Sequence, residues 1–228
     1  MLLPLILSLG MPLMVTCDYI TVQHYFNRDS GYELALDRRL KMSKIVYDTY
    51  YYENMLEMYA GSGHDINQVR WEFMKDLPLK HVLDYGCGCN MFSLFRPNGV
   101  NVDSYDIGHI GSAVYPQTGI RRERYDAIAF FDVLEHVDWA REPDNDILRW
   151  MQRTDFVVTS VPMLPDGADL DVWKHNKPGE HLTLFNVDSL CTFMEAQGFE
   201  LMQHGTPECP PRRDIQSFIF RKVNEREG

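Results

Sequence analysis

The chain lacks any apolar run long enough to cross a bilayer as a helix. Its most apolar stretch, Met1 to Val15, is short and is interrupted by Pro4 and Pro12. It also lacks a cysteine framework. Cys17, Cys87, Cys89, Cys191 and Cys209 are odd in number and irregularly spaced, which excludes a disulfide scaffold and points to a reducing compartment. Cys87 and Cys89 form a C-x-C pair, but no second pair completes a zinc site, so they read as small residues lining a turn. Basic residues are scarce. The balance is 22 Lys and Arg against 33 Asp and Glu, net −11, which argues against a bulk nucleic-acid binder. A local basic cleft for a nucleotide or sugar phosphate stays compatible with that sign. Repeats, low-complexity tracts and Pro/Gly/Ser-rich linkers are absent.

What is present suits one folded domain. The 228 residues, 45% hydrophobic and 24% charged, can bury a core and exclude wholesale disorder. The apolar start has no preceding Lys or Arg and no small-residue cleavage site, so a secretory signal is not expected. It reads as a segment packing on the domain or a partner, or as the product of an upstream start, since Met11 and Met14 follow. A cytoplasmic location, with no membrane span, is the expectation.

The periodicity predicts a helical, aromatic first third. Residues Leu34 to Tyr59 carry apolar side chains at loose three-to-four spacing, and a second helix is expected over Asp65 to Leu77. After Pro78 the pattern changes. His81 to Tyr85 reads as a buried strand, followed by a glycine turn and a truncated helix from Met91 to Phe95. Strands are expected at Gly99–Asp106, Tyr125–Phe131 and Phe156–Val161, with a helix within Asp132–Arg153. Val187 to Gln197 is amphipathic and is capped by Gly198. Phe199–His204 and Ile215–Arg221 read as a closing hairpin. The sum is an α/β fold. It has a Rossmann-like, mostly parallel sheet and an antiparallel C-terminal hairpin, with an N-terminal helical cap over residues 1–79 and a core over 80–228.

The informative stretch is Val82-Leu83-Asp84-Tyr85-Gly86-Cys87-Gly88-Cys89-Asn90. Two glycines allow a tight turn and close backbone approach to a ligand. A following helix N-terminus would offer unpaired N–H groups. The next strand ends in Asp106, where an acid can accept both hydroxyls of a ribose. A nicotinamide fingerprint would run G-x-G-x-x-G; here Asp84-x-Gly86-x-Gly88-x-Asn90 stands instead.

That pattern resembles the first motif of class I S-adenosylmethionine-dependent methyltransferases. Asn101 to Asp106 looks like their second-strand motif. Tyr125 to Val137 (YDAIAFFDVLEHV) is similar to the fourth-strand motif of the branch containing the ubiquinone-biosynthesis O-methyltransferases. Glu180-His181-Leu182-Thr183-Leu184-Phe185, with Ala196-Gln197-Gly198-Phe199 further on, resembles the same branch. The resemblance spans roughly residues 80–222 and implies S-adenosylmethionine as cofactor. It implies that Asp84, Gly86, Cys87 and Gly88 face the methionine part, that Asp106 and Ile107 hold the nucleoside, and that Phe131 and Asp132 flank the cofactor. One departure stands out. The segment from Asp106 to Tyr125 is too short for the family's helix and third strand, so the sheet is shortened there and adenine recognition is rebuilt around Ile107 to Ala113.

For an oxygen acceptor the protein must remove a proton. His181, with Glu180 beside it in a polar loop, is the candidate base; the alternative is a histidine that bonds backbone. Lys174, His175 and Lys177 form a small cationic patch. Asp132, Glu135 and His136 match a metal set of some ubiquinone-branch members, but N-terminal capping is the favoured reading and no metal is called. The expected function is methyl transfer to a small-molecule hydroxyl, sugar-linked in one version. The alternative is a catalytically degenerate methyltransferase-fold binding module.

Overall fold

The computed structural model describes residues 66–107, 118–139, 145–210 and 212–223, with the backbone of 15–16. Strand β1 (Val15–Thr16) pairs antiparallel with β6 (Thr183–Leu184) as a separate two-stranded sheet. The main sheet holds β2 (His81–Tyr85), β3 (Asn101–Tyr105), β4 (Tyr125–Phe131), β5 (Thr154–Pro162), β7 (Phe199–Gly205) and β8 (Ile215–Lys222). Its order is β3-β2-β4-β5-β8-β7. The first four strands are parallel; β8 runs antiparallel to both β5 and β7. This is the expected Rossmann-like sheet with an antiparallel C-terminal hairpin.

The sequence explains the layering. Strands covered on both faces read as continuous apolar runs, as in AIAFF of β4 and FVVTSV of β5. Period-two alternation then sorts them. Ile128 and Phe130 join Leu83, Val157, Phe218 and Phe220 in one core, beneath α2 (Asp146–Met151) and α3 (Val187–Ala196). Ala127, Ala129 and Phe131 turn to the other face and meet α1 (Ile66–Phe73). The small alanines admit the indole of Trp71, which stacks on Phe92 at 4.2 Å between centroids and donates Nε1–H to the Phe92 carbonyl at 2.9 Å.

Helix ends follow local chemistry. Asn186 and Ser189 form a reciprocal capping box at the start of α3. Gly198, at φ 83°, ends it in the left-handed region. Asn145 caps α2 by accepting the Leu148 N–H at 3.2 Å.

Three expectations change in extent. The helix sought from Met91 to Phe95 is a single 3-10 turn, Phe92–Phe95, because Pro97 and Gly99 stop it at once. The helix sought within Asp132–Arg153 is a 3-10 turn, Leu134–His136, and the six-residue α2. The helix expected over Asp65 to Leu77 narrows to Ile66–Phe73. β3 is the sheet edge, so among the described residues no third strand lies beyond it. Its Ser104 backbone bonds Thr118 and Gly119 instead. The Leu34–Tyr59 helix and most of the cap over 1–79 lie outside the described residues. Among the described residues, no helix is long and apolar enough to cross a membrane.

Candidate active site at the strand ends

The chain leaves β2 to one side to make β3, then returns to the other side as β4. That reversal is a topological switch point, and open α/β sheets place ligands beyond the C-terminal strand ends there. Asp84, Gly86, Gly88, Asp106, Phe131 and Asp132 all sit at these ends.

The glycine turn is dictated by close approach. Gly86 has φ 80°, and a Cβ there would stand 2.4 Å from Cγ2 of Val133, the second residue past β4. Gly88 (φ 50°) and Asn90 (φ 58°) are also left-handed; asparagine tolerates that region better than most residues. The turn is tied to β3. Gly86 and Cys87 both donate N–H to the Tyr105 carbonyl, at 2.7 and 3.0 Å. Gly88 N–H donates to Asp106 Oδ2 at 2.9 Å. The expected N–H cradle at a helix N-terminus is therefore corrected: a four-residue 3-10 turn follows, and the loop amides are directed at β3 and its acid.

Asp84 and Asp106 are both buried. Burial pushes the Asp84 carboxyl up to about 7; Arg70 opposes this and Asp106 adds to it. Burial likewise raises the Cys87 and Cys89 thiols, so neither is a ready thiolate. Ile107 projects into solvent with 81% of its surface exposed, which suits an apolar contact to a planar ring.

At the end of β4, Asp132 adopts φ 57°, which is unusual for a residue with a side chain. Two arginines hold it. Arg212 donates Nη1–H to Oδ2 at 2.9 Å and Nη2–H to Oδ1; Arg70 donates to Oδ2 at 3.1 Å. Glu208, fully buried, completes the network by accepting from Arg70 Nε at 2.7 Å and from Arg212 Nη1 at 2.6 Å. Burial alone would raise the Asp132 carboxyl, but Arg212 and Arg70 overcome it and hold the group well below the usual range. The Arg70 guanidinium also lies 4.2 Å over the Phe131 ring. Phe131 itself is buried, edge-on to Phe92.

Beyond Asp132 the acids part company. Glu135, His136 and His181 bring one ligand atom each within 4.8 Å of one another. His136 donates Nδ1–H to the Glu180 carbonyl at 2.9 Å, and His181 donates Nδ1–H to the His175 carbonyl at 2.8 Å. A carbonyl only accepts, so the proton sits on Nδ1 in both rings. The rings meet edge to face at 4.8 Å. Burial, with His136 and Lys177 adding, pushes His181 down to about 3; burial also lowers His136. Burial pushes the Glu135 carboxyl well up, with Asp132 adding to it. Its Oε2 is buried with no hydrogen-bond partner.

Other sequence candidates are placed as follows. The Glu180 carboxylate pairs with Lys177 at 3.1 Å and lies 3.9 Å from His181 Nε2, a contact to a neutral imidazole rather than an ion pair. Lys174 pairs with Asp214 at 2.6 Å, and His175 approaches the same carboxylate at 3.6 Å. The cationic patch is thus locally neutralised. Arg70, Glu208 and Arg212 escaped the sequence reading. Glu208 and Arg212 stand at i, i+4, a local signal for their pairing, but their links to Arg70 and Asp132 span 62 to 138 residues and no local spacing encodes those.

Sheet order, glycine turn and terminal acids define a Rossmann-like α/β fold of the kind that methyltransferases share. The description "methyltransferase domain" fits residues 64–204, and the chain belongs to that family. No curated protein matches the chain. Among solved structures it is similar to magnesium protoporphyrin IX methyltransferase from Synechocystis PCC 6803 with bound SAH. Identity is 17%, over 78% of this chain and 96% of that one, at TM-score 0.55. It is also similar to the Burkholderia thailandensis 1,6-didemethyltoxoflavin-N1-methyltransferase, solved with its substrate and S-adenosylhomocysteine. There identity is 14%, over 93% and 92%, at TM-score 0.56. A third is the [4+2]-cyclase SpnF, at 13% identity over 69% and 80%, with TM-score 0.50. At such identities the likeness is one of fold.

Proposed function

We propose that the protein transfers a methyl group from S-adenosylmethionine to a hydroxyl oxygen of a small molecule. The observation that carries this is the pair of buried carboxylates, Asp84 and Asp106, converging on the glycine turn at the switch point. Two buried acids call for a ligand that brings positive charge and hydrogen-bond donors. The ammonium and ribose hydroxyls of S-adenosylmethionine supply both. The two methyltransferases of similar fold, one solved with SAH and the other with S-adenosylhomocysteine, support the same cofactor.

The cofactor contributes the reaction's electrophile, a methyl group on a sulfonium. The chain's residues do the rest. Asp84 receives the ammonium, and its proton leaves as that charge arrives. Asp106 turns from the Gly88 amide to the ribose hydroxyls, or shares them. Ile107 offers an apolar wall to the adenine. Phe131 and Asp132 form the floor, fixed by Arg70 and Arg212. The acceptor's proton goes towards the Glu135–His136–His181 cluster, where His181 stands as the candidate base. The ubiquinone-branch motifs favour oxygen over nitrogen, and the acidic chain favours a small acceptor over bulk nucleic acid. A cytoplasmic setting fits the cofactor.

The test is calorimetric titration of the full chain with S-adenosylmethionine and S-adenosylhomocysteine, followed by acceptor profiling with methyl-labelled cofactor. Saturable binding with label transfer to hydroxyl compounds is expected. A second reading, a methyltransferase fold kept as a binding module, draws on the pruned β3 edge and the single 3-10 turn after β2. SpnF, a cyclase of similar fold, illustrates that this fold alone does not fix a reaction. Absence of binding at millimolar cofactor would favour that second reading.

A further inference from the structure

We infer that an arginine-lined cleft at the outer edge of β3 is a second binding site, one that takes the phosphate group of a small molecule. The cleft encloses about 430 Å³, and Ser93, Arg96, Asn101, Thr118, Arg121 and Arg122 help to line it. That volume lies in the range of small-ligand sites. Three guanidinium groups share one cleft in a chain whose net charge is −11. The site stands apart from the proposed cofactor position. Asn101 opens β3, and Asp106 follows the other end of that strand, roughly 17 Å away.

The acid in the cleft is already engaged. Asp103, the carboxylate of its lining, is buried, and its Oδ2 accepts from Arg122 Nη1 and from the Tyr125 hydroxyl, each at 2.7 Å. Arg96 and Arg121 are placed differently. Arg96 donates Nη1–H to the Ser93 carbonyl at 2.8 Å, and Arg121 donates Nε–H to the Thr118 carbonyl at 3.1 Å. Among the described residues no carboxylate pairs with either guanidinium. Each is thus oriented by one bond to its own turn, and most of its five N–H donors stay available. The turn itself is pinned. The backbone N–H groups of Arg121 and Arg122 donate to the Tyr125 hydroxyl at 3.2 and 3.3 Å.

The strand edge adds a donor of its own. Asn101 N–H bonds the Lys80 carbonyl on the β2 side, whereas Ser104 N–H bonds Thr118 Oγ1 on the other. Backbone groups of successive strand residues alternate sides, so Val102, like Ser104, turns its N–H off the sheet edge, and Val102 lines the cleft. Two guanidinium groups without carboxylate partners, beside an outward backbone N–H, suit an anion with several acceptor oxygens. A phosphate monoester or a diphosphate matches them. Its tetrahedral oxygens take paired N–H bonds from more than one arginine, which a single carboxylate cannot do as fully. Arg96 and Arg121 are exposed, so the attraction is screened and falls as salt rises. The site itself does not depend on methyl transfer.

The experiment titrates the full chain with pyrophosphate and with glycerol phosphate by calorimetry at low ionic strength, alone and with S-adenosylhomocysteine present. One saturable site per chain is expected, weakened by added salt and unchanged by S-adenosylhomocysteine. Arg96→Ala and Arg121→Ala should each weaken pyrophosphate binding about fivefold while leaving the urea midpoint in place. Arg149→Ala removes an exposed arginine on α2 and serves as the control for net charge; binding should stay within about twofold. Absence of saturable binding at millimolar pyrophosphate overturns the proposal. So does equal weakening by Arg149→Ala, which would make the attraction one of overall charge. Displacement of pyrophosphate by S-adenosylhomocysteine overturns it as well, since the anion would then sit at the switch point. A short single-stranded oligonucleotide that binds where neither small phosphate does would overturn the small-molecule assignment. The titrations without S-adenosylhomocysteine decide the phosphate site whether or not the cofactor binds.

Discussion

Arg212 grips Asp132 across 80 residues of sequence, with Nη1–H donating to Oδ2 at 2.9 Å and Nη2–H to Oδ1. This fork joins the loop between β7 and β8 to the end of β4, and Arg70 brings α1 to the same carboxylate. A planar guanidinium meets a carboxylate in two parallel bonds that a lysine cannot copy. Arg212→Ala leaves Glu208, fully buried, with Arg70 as its only guanidinium, and loosens Asp132 in its left-handed backbone. The expected loss is about 3 kcal/mol of unfolding free energy, the lower end for breaking a buried pair because Asp132 keeps some exposure. Arg212→Lys should lose less stability but still weaken cofactor binding. Urea titration and calorimetry check both.

Gly86 is a packing constraint as well as a turn. A Cβ at this position would overlap Val133 Cγ2 at 2.4 Å while sitting at φ 80°. Gly86→Ala is expected to cost about 3 kcal/mol, combining overlap with left-handed strain. Adding Val133→Ala removes the overlap and leaves the strain. The double variant should therefore lose less than the sum of the two single losses. Additive losses would place the cost in the backbone alone.

Much of this fold was legible because parallel, doubly covered strands write themselves as apolar runs ended by a glycine turn or proline. His81–Tyr85, Tyr125–Phe131 and the closing hairpin follow that rule. Asp84, Gly86, Gly88 and Asp106 were legible for the same reason: each is fixed by its place at a strand end. The helices were less so. Phe92–Phe95 carries the apolar content of a helix but is cut by Pro97 before a second turn forms. The Arg70–Asp132–Glu208–Arg212 network was hidden beyond its one local pair, Glu208 and Arg212 at i, i+4, since its other spacings belong to the tertiary fold. The division of Asp132 from Glu135 follows from the same network. A local reading puts both on one helical face, whereas Asp132 takes a left-handed backbone and gives its carboxylate to Arg70 and Arg212.

Asp84 sets a pH dependence. Burial holds its proton up to about pH 7, whereas an unfolded aspartate loses it near 4. Between those values the native state binds more protons than the unfolded state, so stability falls as pH rises, and the penalty is complete above about 7. Asp84→Asn removes that slope. Urea midpoints of wild type and variant should differ less at pH 5 than at pH 8, where the variant is the more stable. Cofactor affinity should run the other way in the wild type, rising through pH 7 as the carboxylate becomes available to the ammonium.

Asp106 and His181 separate binding from turnover. Asp106 is buried at the end of β3, with Oδ2 accepting the Gly88 amide. Asp106→Ala removes the acceptor for two ribose hydroxyls, a loss of about 1.5–3 kcal/mol at charged hydrogen bonds, or roughly ten- to hundredfold in cofactor affinity. His181 lies beyond the β4 end, in the cluster with Glu135 and His136, and bonds the His175 carbonyl instead. His181→Ala should leave S-adenosylhomocysteine affinity within about threefold while lowering kcat by about a hundredfold or more. Calorimetry and labelled-methyl turnover measured on both variants give the split directly. Equal loss of cofactor affinity in the two would put His181 in the cofactor pocket and would remove it from the acceptor side.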